Sequence, residues 1–374
     1  MKNITSIIIL SYNTLDLLQM CIESIRGFTA PDTYEIIVID NASKDGSVEW
    51  LRKQKDIRCI YNKENLGFPK GCNQGMAIAE GTEILLLNSD VIVTPRWLEQ
   101  MKKALYSDEK VGAVGCVTSK CSNLQQIDVP YDKQNFNMDE LLKFAEAFNH
   151  SNPEKWLPHF KLVGFCMMFR TSLYKEIGEL DEAFSPGNYE DDDYSIRIRL
   201  AGYKILLCAD TFVHHFGSGS FIRKRSPEEE REHTTKYLEL MNKNRKYFLN
   251  KWSLPEEYNI IMYDYNKVEQ ISKFMLGARN VLIVGHCNIY DVLQLIWNNE
   301  GINVEYLTDA EHEPKLFHNE IIIHYNKNIL LGVKMLEKRY DLVIFTNTVR
   351  LNELSKRRIV EYFINNNVAK NFFF

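Results

Sequence analysis

The chain has 374 residues, of which 45% are hydrophobic and 25% are charged. These fractions are typical of globular proteins and exclude collagen-like and largely disordered chains, and the length is sufficient for two domains with separate cores. Because the formal net charge is -5, we do not expect the chain as a whole to bind nucleic acid.

The apolar runs and the cysteines bear on the location of the protein. The longest apolar runs, such as Ile7–Leu10 and Ile84–Leu87, are shorter than the ~20 residues that span a bilayer, and the N-terminus lacks a signal-peptide pattern. The eight cysteines include no Cys-x-x-Cys pair, so reduced thiols are expected rather than disulfides or a zinc site. We therefore predict a cytoplasmic protein without a transmembrane segment, which can lie peripherally at the inner face of a membrane.

Strand and helix patterns alternate over the first hundred residues. Continuous apolar runs predict buried strands at 7–10, 36–39, 58–61 and 84–87. Helical spacing and capping residues predict helices at 15–25, 47–51 and 73–79. This alternation predicts a parallel sheet with helices on both faces, and such sheets bind ligands at the carboxyl ends of their strands.

The rest of the chain is predicted in three parts. Residues 124–158 are interpreted as a helical insertion or a flexible loop, 161–170 as a strand, and 195–200 and 227–251 as helices. After Pro255, strands are predicted at 281–285, 304–307 and 342–345, and helices at 292–297 and 354–363. We therefore predict two domains, 1–255 and 256–374. Since Gly285 does not begin a Gly-x-Gly-x-x-Gly fingerprint, the second, smaller α/β domain is predicted to have an accessory, docking or oligomerisation role.

Polar clusters follow the predicted strands of the first domain. Their members are Ser11, Tyr12, Asn13, Asp40, Asn41, Asn65, Gly67, Lys70 and Asn73. Side chains of these types can bind the base and ribose of a nucleotide, and glycines allow close backbone approach. Each cluster alone would also fit an Asx-turn or a helix cap. Three clusters at the ends of consecutive strands favour a nucleotide site.

The tripeptide Asn88-Ser89-Asp90 follows the fourth predicted strand. A carboxylate at this edge of the sheet suits a hard divalent cation that bridges two phosphates. Asn88 occupies the first position of an Asp-x-Asp pair, so the site carries one negative charge fewer. The same tripeptide also fits an ordinary turn.

Two further segments are candidates for chemistry. The four carboxylates of run 190–193 repel one another, which raises at least one pKa. Acidic residues are also favoured at a helix N-terminus, but the flanking Tyr189 and Tyr194 argue against a fully solvated run. His214 and His215 are adjacent on an extended segment, so at most one of them easily faces a given metal ion. The Gly- and Ser-rich residues after them are predicted to form a loop that closes over phosphates.

Taken in order, these segments resemble the family 2 inverting glycosyltransferases with the GT-A fold, over about residues 7–221, and within them the rhamnosyl- and glucosyltransferase-like branch. The resemblance implies a Rossmann-like mixed sheet, a UDP- or dTDP-sugar donor and Mn²⁺ or Mg²⁺. It implies that Asp40 reads the base and that the nucleotide is lined by Ser11, Tyr12, Asn13, Asn41, Asn65, Gly67, Lys70, Asn73, Asn88 and Ser89.

The same resemblance implies the reacting groups. Asp90 is expected to bind the metal with one histidine, either His214 or His215, of which His215 fits the family pattern slightly better. Asp191 is expected to be the general base, and Glu190 to support it or to contact the acceptor. The domain after Pro255 lies outside the resemblance.

We therefore predict a metal-assisted single displacement that moves a sugar to a hydroxyl of a glycan or glycosylated protein, in a chain that can form homo-oligomers through its second domain. The alternative is a catalytically silent scaffold that binds a nucleotide-sugar and recruits partner enzymes. A dehydrogenase that uses the second domain is disfavoured by the missing glycine fingerprint.

Overall fold

A computed structural model of the chain separates into two compact units, Met1–Arg245 and Lys246–Phe374. The residues it describes are 2–121, 125–133, 136–159, 161–217, 226–252, 278–285, 302–308, 321–325, 340–345 and 369–373, with the single positions 332, 336, 357, 358, 361 and 362. The boundary predicted at Pro255 lies outside these residues. Within the described residues, no helix combines the length and the apolar character that crossing a membrane requires.

The first unit alternates strands and helices from its N-terminus. Its strands are β1 (Lys2–Ser11), β2 (Tyr34–Asp40), β3 (Ile57–Tyr61), β4 (Gly81–Asn88), β5 (Val91–Ile92), β6 (Val111–Thr118), β7 (Trp156–Pro158), β8 (Cys166–Arg170) and β9 (Lys204–His215). Its helices are α1 (Leu15–Phe28), α2 (Ser47–Leu51), α3 (Phe68–Ile78), α4 (Trp97–Leu105), α5 (Met138–Phe148), α6 (Thr171–Ile177) and α7 (Glu190–Leu200), and α8 (Pro227–Trp252) begins in this unit.

The nine strands form one mixed sheet with the order β3-β2-β1-β4-β8-β6-β9-β5, and β7 pairs with β9. The first four of these are mutually parallel, as predicted, whereas β8 runs antiparallel between β4 and β6. The predicted mixed α/β fold is confirmed. Since β1, β2, β3 and β4 are parallel, their carboxyl ends meet at one edge of the sheet.

The core lies on both faces of this sheet. Ile7 and Ile9 belong to a cluster with Leu18 of α1, whereas Ile8 belongs to a cluster with Met76 of α3. Successive side chains of a strand point to opposite faces, so a continuous apolar run is what a strand covered on both sides requires.

The region around residue 160 differs from the prediction. Only Cys166–Arg170 of the predicted strand 161–170 is a strand. The preceding backbone bonds elsewhere: Leu162 N–H donates to Ser195 Oγ (3.2 Å) and Val163 N–H to Gln125 Oε1 (2.7 Å). The interpretation of 124–158 as a helical insertion agrees with α5. The strands β6 and β9 and the helices α4 and α6 were not predicted.

The second unit contains β10 (Asn280–Val284), β11 (Asn303–Thr308), β12 (Ile321–Tyr325), β13 (Tyr340–Phe345) and β14 (Ala369–Phe373). These strands form a parallel sheet with the order β12-β11-β10-β13-β14. The three predicted strands are present, and β12 and β14 are additional. The helices predicted at 292–297 and 354–363 lie wholly or mostly outside the described residues.

Candidate functional site

The loops after β1 and β2 are bonded to each other at the carboxyl edge of the sheet. Asn41 N–H donates to the carbonyl of Ser11 (2.9 Å), Asn13 N–H to Ser43 Oγ (2.9 Å) and Lys44 N–H to Asn13 Oδ1 (2.7 Å). Asn13 has a φ of 54°, a left-handed conformation that asparagine tolerates better than most residues. The first two predicted clusters therefore lie side by side.

Asp40 ends β2 with its side chain fully buried. One carboxylate oxygen, Oδ1, accepts from the Ser43 N–H (2.9 Å). The other, Oδ2, is buried and has no hydrogen-bond partner among the described residues. A buried carboxylate oxygen without a donor is costly, and a ligand N–H would satisfy it.

The loop after β3 is joined to the same edge through Asn41. Its Nδ2 donates to Asn65 Oδ1 (3.1 Å) and to the carbonyl of Gly67 (3.2 Å). Gly67 has a φ of 84°, and a Cβ at this position would lie 2.6 Å from Pro186 Cα. Only glycine fits here. The next residue, Phe68, donates its N–H to the carbonyl of Pro186 (2.8 Å), so this loop packs against the segment that leads to the acidic run.

Three residues of the predicted nucleotide set do not take part in the hydrogen bonds described above between the strand-end loops. Tyr12 is 47% exposed in the loop after β1, and Lys70 is exposed in the first turn of α3. Asn73 is buried, exchanges two hydrogen bonds of 2.9 Å with the backbone of Leu180 and also donates to Glu182 (3.2 Å). The side-chain amide of Asn73 thus stabilises the segment that contains Leu180 and Glu182. The roles of these three residues at a nucleotide remain predictions.

Asp90 and His215 face each other beside the pairing of β5 with β9. His215 Nε2 lies 3.2 Å from Asp90 Oδ1, and its Nδ1 lies 2.9 Å from the carbonyl oxygen of Lys120. Because a carbonyl oxygen only accepts, Nδ1 carries the proton when the ring is neutral, and Nε2 presents its lone pair to the carboxylate. Two facing acceptors repel each other unless a proton on Nε2 or a metal ion lies between them.

The donor set at this point fits a divalent metal ion. Carboxylate oxygens suit Mg²⁺ and Mn²⁺, and imidazole is a common metal ligand. The second oxygen of Asp90 is buried without a hydrogen-bond partner within the described part of the chain. No cluster of three or more His, Cys, Asp or Glu that could hold a metal occurs among the described residues. An ion bound to Asp90 and His215 would therefore take its other ligands from a diphosphate or water.

Asn88 and Ser89 connect this pair to β1. Asn88 Nδ2 lies 3.4 Å from Nε2 of His215. Ser89 Oγ lies 3.1 Å from Thr14 Oγ1, which in turn lies 3.5 Å from Ser11 Oγ. The predicted metal motif and the first nucleotide cluster are thus neighbours.

His214 points away from Asp90. Its Nδ1 lies within 3.1 Å of Ser119 Oγ and Tyr131 Oη, and its ring packs against the rings of Phe136 and Phe216. Burial lowers the pKa of His214 to about 4. Of the two histidines left open by the sequence, the structure therefore brings His215 to Asp90.

The four acidic residues at the start of α7 have four different environments. Asp193 pairs with Arg197 (3.0 Å) and Asp192 with the largely buried Lys161 (2.5 Å). Asp191 Oδ2 accepts from the Gly164 N–H (2.9 Å). Glu190 is 6% exposed, and its Oε2 has no hydrogen-bond partner among the described residues.

Burial and neighbouring charge perturb two of these carboxyl groups. Burial, together with the charge of Asp192, raises the pKa of Asp191 to about 6, although Lys161 opposes the shift. Burial and the charge of Asp191 raise the pKa of Glu190 well above its usual range. With a pKa of about 6, Asp191 is mostly ionised at neutral pH, and two neighbouring carboxyl groups with raised pKa values are typical of acid–base sites.

Gly164 and Phe165 connect the acidic run to the Asp90–His215 pair. Gly164 binds Asp191 through its N–H, and the ring of Phe165 stacks on His215 with centroids 4.9 Å apart and an interplanar angle of 13°. The carbonyl of Phe165 also accepts from the Asn88 N–H (2.9 Å). Two consecutive residues therefore contact the candidate base and one of the two candidate metal ligands.

Residues 6–178 match the family model described as Glycosyl transferase family 2. This stretch, which is less than half of the chain, is similar to family 2 glycosyltransferase domains. The match and the sheet order confirm the predicted enzyme class and the predicted GT-A type of fold.

Several proteins are similar to parts of the chain. Glycosyltransferase GlyG of Streptococcus pneumoniae is 26% identical over 239 residues, which cover 60% of this chain and 74% of that protein. Poly(ribitol-phosphate) beta-glucosyltransferase of Bacillus spizizenii is 27% identical over 214 residues, which cover 55% and 31%. A solved mannosyltransferase from Pyrobaculum calidifontis, in complex with GDP-Man and Mn²⁺, aligns with a TM-score of 0.44 at 20% identity over 62% of this chain and 60% of that chain. This chain thus spans less than two thirds of two of these three proteins.

The site of the glycosyltransferase domain includes residues that the sequence did not single out. Gly164, Phe165 and Lys161 fall in the stretch 161–170 that was predicted as a strand, and that prediction gave no indication of their contacts. The carbonyl of Lys120 had no sequence signal at all. Of the Gly- and Ser-rich residues predicted to close over phosphates, 218–220 lie outside the described part of the chain.

Proposed function

We propose that the first unit is an inverting glycosyltransferase that moves a sugar from a UDP- or dTDP-linked donor to a hydroxyl of a glycan or glycosylated protein. The observation that supports this proposal is the link through two consecutive residues, since the Gly164 N–H donates to Asp191 and the Phe165 ring stacks on His215. The name of the Bacillus spizizenii relative, which specifies glucosyl transfer and poly(ribitol phosphate), supports a hydroxyl-rich acceptor.

The donor nucleotide is assigned to the loops at the carboxyl edge. The free buried oxygen of Asp40 suits a base N–H. Ser11, Asn13, Asn41, Asn65 and Gly67 shape the loops around it, and Asn88 and Ser89 lie between this region and Asp90.

Asp90 and His215 would hold the metal ion, and Mn²⁺ or Mg²⁺ bound there would neutralise the charge that develops on the leaving diphosphate. The Lys120 carbonyl fixes the ring of His215 with Nε2 toward Asp90. Stacking on Phe165 restricts the ring further. These contacts orient the ligands before any ion binds, which lowers the cost of binding.

Asp191 is assigned as the general base. Its two oxygens accept from the N–H groups of Gly164 and Asp192 (2.9 Å each), so the carboxylate is held while it takes a proton from the acceptor hydroxyl. That hydroxyl oxygen attacks the anomeric carbon from the face opposite the diphosphate, and one displacement inverts the centre. General base catalysis contributes roughly 10²–10⁴-fold. Burial favours the protonated form of Glu190, and in that form its carboxyl would donate a hydrogen bond to the acceptor or to Asp191.

The test is a panel of nucleotide-sugars with Mn²⁺ and hydroxyl-bearing glycan acceptors, in which release of nucleoside diphosphate and the anomeric configuration of the product are measured. We expect the release of nucleoside diphosphate to depend on the acceptor and the product to have the inverted anomeric configuration. Retention of configuration would contradict the single displacement. Donor binding without turnover on any acceptor would instead support the silent scaffold.

For the second unit we propose an accessory, docking or oligomerisation role. The support is the sequence after β10, where Gly285 does not begin the glycine fingerprint of dinucleotide-binding folds. Light scattering on the full chain and on a chain truncated after the first unit would detect self-association through this unit.

A further inference from the structure

A single buried amide in α8 holds the turn that precedes the acidic run. Asn244 is fully buried, and its Nδ2 lies 2.7 Å from the carbonyl oxygen of Phe184, 2.8 Å from that of Gly187 and 3.1 Å from that of Asn188. Three carbonyl oxygens around one nitrogen fix the orientation of the amide, because Oδ1 in that place would face acceptors only. The amide donor of Asn244 is therefore committed to this turn.

The turn has an unusual backbone. Gly187, Asn188 and Tyr189 have φ values of 156°, 74° and 75°. Residues other than glycine seldom adopt positive φ, and they persist there when surrounding contacts hold them. Tyr189 is the N-cap of α7, so the conformation of this turn sets the direction in which Glu190 leaves it.

The other side of the turn supports the nucleotide loop. The carbonyl of Pro186 accepts from the Phe68 N–H (2.8 Å), and the backbone of Pro186 occupies the space beside Gly67 that a Cβ would need. The turn thus lies between Asn244 and the start of α3. If the turn lost its hydrogen bonds to Asn244, the acidic residues that follow it would move. The hydrogen bond from the Phe68 N–H to Pro186 does not involve Asn244, so the nucleotide loop would keep this contact.

We propose that Asn244 is a positioning residue of the transferase, which fixes the turn 184–189 so that Asp191 is aligned with the acceptor. This inference rests on the proposed function of the first unit. Asn244 lies beyond the residues matched by the family model and in a charged helix whose sequence pattern indicates a solvated surface. It acts through the turn, since its hydrogen bonds go to backbone carbonyls.

The test compares Asn244→Asp, which keeps the shape but removes the donors, with Asn242→Ala, an exposed position of the same helix. The measurements are kcat, the Kd of UDP in the presence of Mn²⁺, and hydrogen–deuterium exchange of amides 184–192. Since a misplacement of about 1 Å can cost 10²-fold in rate, Asn244→Asp is expected to lower kcat by about 10- to 100-fold. The Kd of UDP is expected to stay within about threefold of the wild type, and amides 184–192 are expected to exchange faster than in Asn242→Ala.

The outcomes separate this inference from the proposed function. A kcat for Asn244→Asp within about twofold of that for Asn242→Ala, or unchanged exchange at 184–192, overturns the positioning role. If the wild type itself shows no turnover, the proposed function fails, and the exchange comparison alone decides whether Asn244 holds the turn. Should Asn244→Asp not fold, Asn244→Ser, which keeps one donor, is measured in the same way. Its kcat is expected to be lower than that of Asn242→Ala and its amides 184–192 to exchange faster, and values equal to those of Asn242→Ala would overturn the positioning role.

Discussion

The backbone N–H of Gly164 donates a 2.9 Å hydrogen bond to Oδ2 of Asp191. Gly164 is followed by Phe165, which stacks on His215, so the candidate base and the candidate metal ligands depend on one short segment of chain. This segment is not part of a regular strand, and its conformation comes from contacts with α7 and with Gln125.

Replacement of Asp191 by asparagine should remove the general base and keep the first turn of α7 in place. We expect kcat to fall at least about 100-fold, because an amide cannot take a proton from the acceptor hydroxyl. The matched control is Asp139→Asn in the exposed first turn of α5, which should retain wild-type turnover. Release of nucleoside diphosphate measures both. Full turnover by Asp191→Asn would remove the assignment of the base.

The rate should depend on pH through Asp191, because burial raises its pKa to about 6. The base works in its ionised form, so kcat/KM should fall as the pH drops below about 6. Lys161→Met removes the cation that opposes this shift and leaves Asp192 unpaired, so the midpoint should move to higher pH. A pH profile of kcat/KM, with Lys143→Met on the exposed side of α5 as the control, tests this. A midpoint in Lys161→Met equal to or below the wild-type value would contradict the account.

Glu190→Gln should stabilise the fold at neutral pH. Burial raises the pKa of Glu190 well above that of the unfolded chain, so the folded state keeps its proton after the unfolded state has lost it. The stability contributed by that proton is present at low pH and is lost as the pH rises above about 4.3, and glutamine does not titrate.

The difference in thermal unfolding midpoint between Glu190→Gln and the wild type should therefore grow from about pH 4.5 to pH 7.5. A shift of about 2–4 °C corresponds to 1 kcal/mol for a domain of this size. Glu140→Gln, at an exposed position of α5, should show no such growth. Equal differences at both pH values would argue against a buried, protonated Glu190.

His215 and His214 should differ in their effect on the metal requirement. His215→Ala removes the nitrogen that lies 3.2 Å from Asp90, and we expect the Mn²⁺ concentration at half-maximal activity to rise at least about tenfold. His214→Phe keeps a ring in the aromatic cluster and should leave the Mn²⁺ requirement within about threefold of the wild type. Activity assays over a range of Mn²⁺ concentrations measure this requirement. Titration with Mn²⁺ in the presence of UDP, followed by electron paramagnetic resonance, measures the affinity for the ion directly. Equal losses in the two variants would show that the distinction between the histidines is wrong.

The strand-end loops were predictable because their signal is local. An apolar run that stops at Asp40-Asn41 or at Asn88-Ser89-Asp90 marks the carboxyl end of a buried strand, and parallel strands bring such ends together. The order of strand and helix patterns therefore predicted the edge at which Asp40 and Asp90 lie.

The contacts that complete the site could not be predicted in this way. His215 rather than His214 reaches Asp90 because of the pairing of β5 with β9, which is a long-range register. The apolar composition of 161–170 predicted a strand, but the N–H groups of Leu162, Val163 and Gly164 bond to side chains distant in sequence. Asn244 is similar, since its three acceptors lie more than fifty residues earlier in the chain.

A structure of the full chain determined with UDP and Mn²⁺ would show directly whether Asp90, His215 and Asp191 form one active site. We expect the metal ion between Asp90 and His215 Nε2, the diphosphate on the ion, and the Asp191 carboxylate open to an acceptor beside it. A nucleotide bound away from the carboxyl edge of the sheet, or a metal ion without Asp90 among its ligands, would contradict the account.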